Sequence, residues 1–255
     1  MRVLDGKRVV VAGVRTKASV AVADADLAMR EGAELVLTGA GRGLSLTTRT
    51  ARKLSADIPV LEFDVTDDAQ TAALTAALGE RWDRVDGALH AIAFAPESAL
   101  GGNFLNAQWD DVAVAMRISA WSLRALADAV RPLMTDGGSI VGLDFDAAVA
   151  WPGYDWMGVC KAALESTSRY LARDLGPERI RSNLVAAGPV RTLAARSIPG
   201  FSLFEDVWNE RAPLGWSVRE PEVVAKACVA LLSDWFPATT GEILHVDGGF
   251  HAMGV

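Results

Sequence analysis

Tyr154 and Lys161, in the stretch YDWMGVCK, are the residues whose types and spacing most directly suggest chemistry. A phenol can donate a proton or a hydrogen bond to a developing negative charge, and an ammonium on a long stem can hold a ribose; together they would serve a reducing enzyme. In a helix beginning near Tyr154, a residue seven positions on is rotated by about 700°, some 20° short of two turns, and displaced by about 10 Å. The two side chains then share a face, too far apart for a direct hydrogen bond, with the lysine stem leaning toward the helix start. The plainer alternative is an amphipathic helix whose lysine covers apolar surface while its head stays in water. The pair alone does not choose between them.

The elements that must position this pair alternate along the chain. Short β-branched runs at 8–13, 34–39, 59–65, 87–94, 138–145, 181–188 and 242–249 predict seven strands. Helical periodicity predicts helices at 19–31, 44–55, 67–80, about 109–134, 154–175 and 220–233. Strand then helix, repeated, predicts an α/β class: a single-domain Rossmann fold over 1–255, a doubly wound parallel sheet of about seven strands with helices on both faces. Such sheets bind ligands beyond the carboxyl ends of their strands, where Gly13, Gly39, Asp64, Ala93, Phe145 and Gly188 all fall.

The first of these strand ends reads AGVRTKASVA and lacks the G-x-G-x-x-G spacing. A single Gly13 still permits close backbone approach, and a helix starting near Ser19 and Val20 still offers unpaired N–H groups to a pyrophosphate. Ser19 could equally be a helix cap. Asp64 and Val65 stand where an adenine edge could be read, although DVTDD also resembles a helix start. No carboxylate follows the second strand, where TGAGR carries Arg42, which leaves NADPH open beside NADH.

Composition narrows the classes. The net charge of -7, with basic residues scattered, argues against a nucleic-acid partner. The amino terminus runs into a strand without an export signal, and no apolar run is long enough to span a bilayer, so a cytoplasmic protein with no membrane partner is expected. Two cysteines, Cys160 and Cys228, and the histidines 90, 245 and 251 lack metal-ligand spacing; no metal is expected, and both cysteines read as core.

With AGVRTKASVA, DVTDD, GGSIVGLDFDAAVAWPGYDWMGVCKAALES, RSNLVAAGPVRTLAA and ALLSDWFPATTGEILHVDGG, nearly the whole chain resembles the divergent short-chain dehydrogenase/reductases that act as enoyl-acyl-carrier-protein reductases, particularly the actinobacterial and mycobacterial type. Ordinary members of that superfamily place the tyrosine four residues before the lysine, where Met157 stands here, and take a serine from the preceding strand, which GLDFD does not supply.

The resemblance implies that Tyr154 is the active-site tyrosine, Lys161 the ribose-binding lysine and Phe145 the aromatic beside the substrate. It further implies NADH as cofactor, with Gly13, Ser19 and Val20 along the pyrophosphate, Asp64 and Val65 at the adenine, Ala93 at the ribose, and Val190 and Thr192 at the carboxamide and phosphates. Met157, Ile198 and Phe201 join Phe145 and Tyr154 as substrate contacts, the last two from a lid at about 193–213. Ala40, Ala91 and Ala93 depart from the residues that relatives often carry. The lid looks shorter than its mycobacterial counterpart, which suggests short to medium acyl chains, although its Ile198, Phe201, Leu203, Phe204 and Trp208 could equally be the core of a small helical flap. An acyl-carrier-protein or CoA thioester substrate and a homotetramer follow from the same likeness. The alternatives are reduction of another conjugated or carbonyl substrate, and a catalytically silent dinucleotide-binding sensor.

Overall fold

The computed structural model describes residues 2–16, 19–55, 57–192 and 201–254, and for 201–203 the backbone alone. Seven strands form one parallel sheet: β1 (Arg8–Ala12), β2 (Glu34–Gly39), β3 (Val60–Glu62), β4 (Gly87–His90), β5 (Gly138–Asp144), β6 (Ile180–Ala187) and β7 (Ile243–Val246), in the order β3-β2-β1-β4-β5-β6-β7. The order reverses between β1 and β4, so a crevice is expected beyond their carboxyl ends.

One face of the sheet is covered by α1 (Val20–Arg30) and α8 (Glu222–Leu232), with α2 (Gly41–Leu54) toward the β2 and β3 edge. Ala21, Ala25, Val224 and Cys228 close against Val9, Val11 and Leu89 there. The other face is covered by α3 (Asp68–Arg81), α4 (Trp109–Met116), α5 (Ser122–Val130) and α6 (Trp156–Leu175), whose Leu74, Leu123, Leu126 and Leu164 pack on Val10, Val36 and Ile140. Continuous apolar runs in β1 and β2 follow from burial on both sides. A further helix, α7 (Phe201–Arg211), lies in the segment expected to form the lid.

The expected strand ends run too long at β3 and β4. β3 stops because the Asp64 amide turns to Gln70 Oε1 (2.6 Å), while its carboxylate accepts from the Thr66 amide and hydroxyl. β4 stops because its last ladder bond, Ala91 N–H to Ala12 O, is followed by a chain that bonds elsewhere: Phe94 N–H and O both pair with the Ser119 hydroxyl. Ser119 sits in a π turn, Arg117–Trp121, that breaks the expected 109–134 helix into α4 and α5. Such π turns often occur beside functional sites.

A larger correction concerns Tyr154. It lies in the turn before α6, not within the helix. Gly153 (φ 68°) and Asp155 (φ 45°) take positive φ values that helical backbone does not use. The Asp155 carboxylate accepts from the amides of Gly102 and Asn103 (2.6 and 2.9 Å), a tertiary contact that holds this conformation in place.

Candidate active site

A cavity of about 760 Å³ opens beyond the carboxyl ends of β1, β4, β5 and β6. Gly13, Ser19 and Val20 line it at the first strand, Ala93 at the fourth, and Val190 and Thr192 beyond the sixth; Lys161, Tyr154, Phe145 and Met157 line the side formed by β5 and α6. A second cavity of about 330 Å³ is lined by Asp64, Val65 and Ala40 and shares Gly13, Ala91 and Ala93 with the first. The structure thus brings Gly13, Ser19, Val20, Asp64, Val65, Ala93, Val190, Thr192 and Lys161 into one pair of joined spaces. Ile198 and the Phe201 side chain lie outside the described residues.

Several details decide what this space accepts. Gly13 has φ 104°, and a Cβ there would lie 2.1 Å from Ala91 O, so only glycine lets β1 turn this close to β4. Ser19 occupies the cap position of α1 but gives its hydroxyl to Thr16 O (2.9 Å), leaving the first-turn N–H groups without a side-chain cap. Asp64 does not cap α3; Asp67 does, accepting from the Ala69 amide. Gly188 follows β6 where a Cβ would meet Trp216 at 2.7 Å and Trp208 Nε1 at 2.9 Å. The Trp216 indole N–H also holds Pro189 O (2.7 Å), fixing the turn that presents Val190. An open helix start, a side-chain-free strand end and a buried ammonium, joined to a separate pocket for a base, fit a dinucleotide. They therefore fit the NADH expected from the sequence.

The Tyr154 end of the cavity is aromatic. Phe145 meets Tyr154 edge-on at 5.2 Å, Trp151 at 5.2 Å and Phe204 at 6.0 Å, and Trp208 stacks on Phe250 at 3.8 Å behind them. Tyr154 is buried, with no hydrogen bond to its hydroxyl among the described residues. Burial, reinforced by the Asp144 charge, drives its pKa well above the usual phenol value, so it stays protonated and able to donate.

Lys161 is also buried. Its Nζ donates to Leu143 O (2.8 Å) and lies 3.8 Å from Asp144 Oδ1. Burial lowers the lysine pKa, and Asp144 opposes that shift. Burial likewise raises Asp144 to about 7, opposed by Lys161. His90, at the end of β4, is held down to about 3 by burial and by the lysine charge, with its Nε2 2.7 Å from the Ser122 hydroxyl.

Asp144 is the residue that sequence reasoning missed. It stands beside Phe145 in GLDFD, but nothing in the local pattern reveals that the last residue of β5 is wholly enclosed. The contribution of Trp151 was equally hidden, because its contacts with Phe204 and Trp208 join segments distant in sequence.

Residues 13–251 match the family model described as enoyl-(acyl carrier protein) reductase. The chain is similar to the enoyl-[acyl-carrier-protein] reductase [NADH] of Mycolicibacterium smegmatis, 47% identical over 261 residues and 96% of each chain. It is 45% identical to the protein of that name from Mycobacterium avium, again over 96% of each chain. With the Bacillus subtilis enzyme of that name the identity is 41%, covering 97% of both.

Proposed function

We propose that this chain, which belongs to the enoyl-(acyl carrier protein) reductase family, reduces the carbon–carbon double bond of a 2-enoyl thioester on acyl carrier protein with NADH, in fatty-acid synthesis. The observation that carries the residue roles is the meeting of Tyr154, Lys161 and Phe145 on one wall of a cavity continuous with the nucleotide pockets.

NADH, when bound, supplies hydride to the β-carbon of the substrate. Electron density then moves onto the thioester oxygen, and the α-carbon takes a proton to complete the reduction. Tyr154 donates a hydrogen bond to that oxygen as its charge develops. A donor already fixed by packing needs no reorganisation, which makes this kind of help effective. Because burial keeps the phenol protonated, it acts as a standing donor, and water supplies the α-proton.

Lys161 spends one N–H on Leu143 O and keeps two for the nicotinamide ribose, which fixes the ring over the substrate. Gly13, Ser19 and Val20 receive the pyrophosphate, Asp64 and Val65 the adenine, Ala93 the ribose, and Val190 and Thr192 the carboxamide end. Phe145 and Met157 line the space for the acyl chain, and Ile198 and Phe201 are its further contacts by the family resemblance.

No helix among the described residues is long and apolar enough to cross a membrane, which is consistent with a cytoplasmic enzyme. A homotetramer assembled through α4–α6 and β7 is supported by Trp121 and Tyr170, about half exposed on those helices. Trp156, by contrast, is occupied within the chain, stacked on Phe104.

Loss of NADH absorbance is expected with a 2-enoyl thioester and not with the 3-ketoacyl thioester of matched length. Turnover of the ketoacyl substrate alone would replace this assignment with carbonyl reduction.

A further inference from the structure

We propose that Asp144 is a positioning residue for Lys161: its enclosed carboxylate keeps the neighbouring ammonium charged and seated against Leu143 O, so that cofactor affinity depends on the pair. The inference rests on the role of Lys161 as the cofactor's anchor.

Asp144 closes β5, and its side chain has no solvent contact. Among the described residues, neither carboxylate oxygen has a hydrogen-bond partner. A carboxylate in that state is costly unless a cation faces it. Lys161 Nζ, at 3.8 Å, lies beyond hydrogen-bond distance but well within reach of charge, in surroundings that screen weakly. Asp144 is thus placed to act through Lys161.

The other titratable groups near Asp144 do not supply this function. On α6, Glu165 is engaged by the Ala147 amide and by Arg169, and burial raises the Cys160 thiol to about 11. Tyr154, in the turn before α6, and His90, on β4, are both uncharged around neutral pH. Asp146, on the strand's own exit loop, accepts from the Ala148 amide. Among the described residues, Lys161 alone gives Asp144 a cation at close range.

The sign of the pH dependence follows. Below about pH 6 Asp144 is largely protonated, since burial sets it near 7, and lends the ammonium no charge. As pH rises through that region the carboxylate ionises and supports the ammonium against the burial that favours a neutral amine. Removing the carboxylate should therefore matter little in acid and increasingly in base.

The test is the NADH Kd, read by quenching of protein fluorescence, for wild type and the near-isosteric Asp144→Asn at several pH values. The expected ratio of variant to wild-type Kd is near one at about pH 6 and rises to about tenfold or more at about pH 9. In a Lys161→Met background, Asp144→Asn should change Kd no further. A ratio that is flat with pH, or a full additional effect in the Lys161→Met background, overturns the proposal. Wild-type affinity in Lys161→Met alone would instead overturn the anchor role on which it stands. Asp144→Ser carries the same expectations should the asparagine variant not fold.

Discussion

Two buried carboxylates, Asp144 and Asp24, sit on opposite sides of the sheet and illustrate what a nearby cation changes. Asp24 lies in α1 where it packs on α8. Burial raises its pKa to about 8, a shift that the neighbouring Cys228 thiol opposes. Asp144 is equally enclosed but faces Lys161. Burial alone makes a carboxylate a liability that protonation relieves; burial beside an ammonium makes a pair that can serve a site.

The strongest way to break this contrast is to remove the cation. Lys161→Ala should turn Asp144 into a second Asp24. NADH Kd is expected to rise roughly ten- to hundredfold, the worth of lost charge-assisted hydrogen bonds. The variant should also lose stability relative to wild type as pH rises past neutrality. Parallel melting curves for the two proteins across pH would count against the pairing.

Asp24→Asn should act in the reverse sense. The folded pKa of Asp24 is raised above its unfolded value, so the stability it allows is fully present below about pH 4 and is lost as pH rises through about 8. The loss accrues at about 1.4 kcal/mol per pH unit across that window. Denaturant melts should show the variant gaining on wild type by a few kcal/mol between acid and about pH 8, with NADH binding unchanged. A pH-independent difference would mean that Asp24 ionises as readily in the folded chain as in the unfolded one.

Gly188→Ala supplies a baseline without charge. Its Cβ would press on Trp216 and Trp208, and a loss of about 1–3 kcal/mol is expected from overpacking. Unlike the other two effects, this loss should be flat with pH. Thermal melts at two pH values are enough to check it.

Much of this was legible in the sequence, for identifiable reasons. Strand and helix alternation fixed the sheet, because buried parallel strands need continuous apolar runs and their crossovers need helical period. Among the candidate site residues, Gly13, Asp64, Ala93 and Phe145 stood out because they fall at expected strand ends, Tyr154 and Lys161 by type and spacing, and the others through the family resemblance. What stayed hidden depends on contacts between distant segments. Tyr154 escapes α6 because Asp155 is held by Gly102 and Asn103, more than fifty residues away. The break between α4 and α5 depends on Ser119 reaching Phe94. Asp144 looks like any acidic residue at a strand end until the packing of α6 encloses it. The tyrosine and lysine therefore meet by tertiary structure, where helical phase had seemed to explain them.

We propose a division of labour in which Tyr154 stabilises the reacting oxygen while Lys161, supported by Asp144, holds the cofactor. Its most direct test is Tyr154→Phe, with kcat for a 2-enoyl thioester and NADH Kd measured on the same preparation. Loss of one preorganised donor predicts a fall in kcat of about a hundredfold or more, with NADH Kd within about twofold of wild type. Wild-type kcat, or a loss confined to NADH affinity, would contradict it.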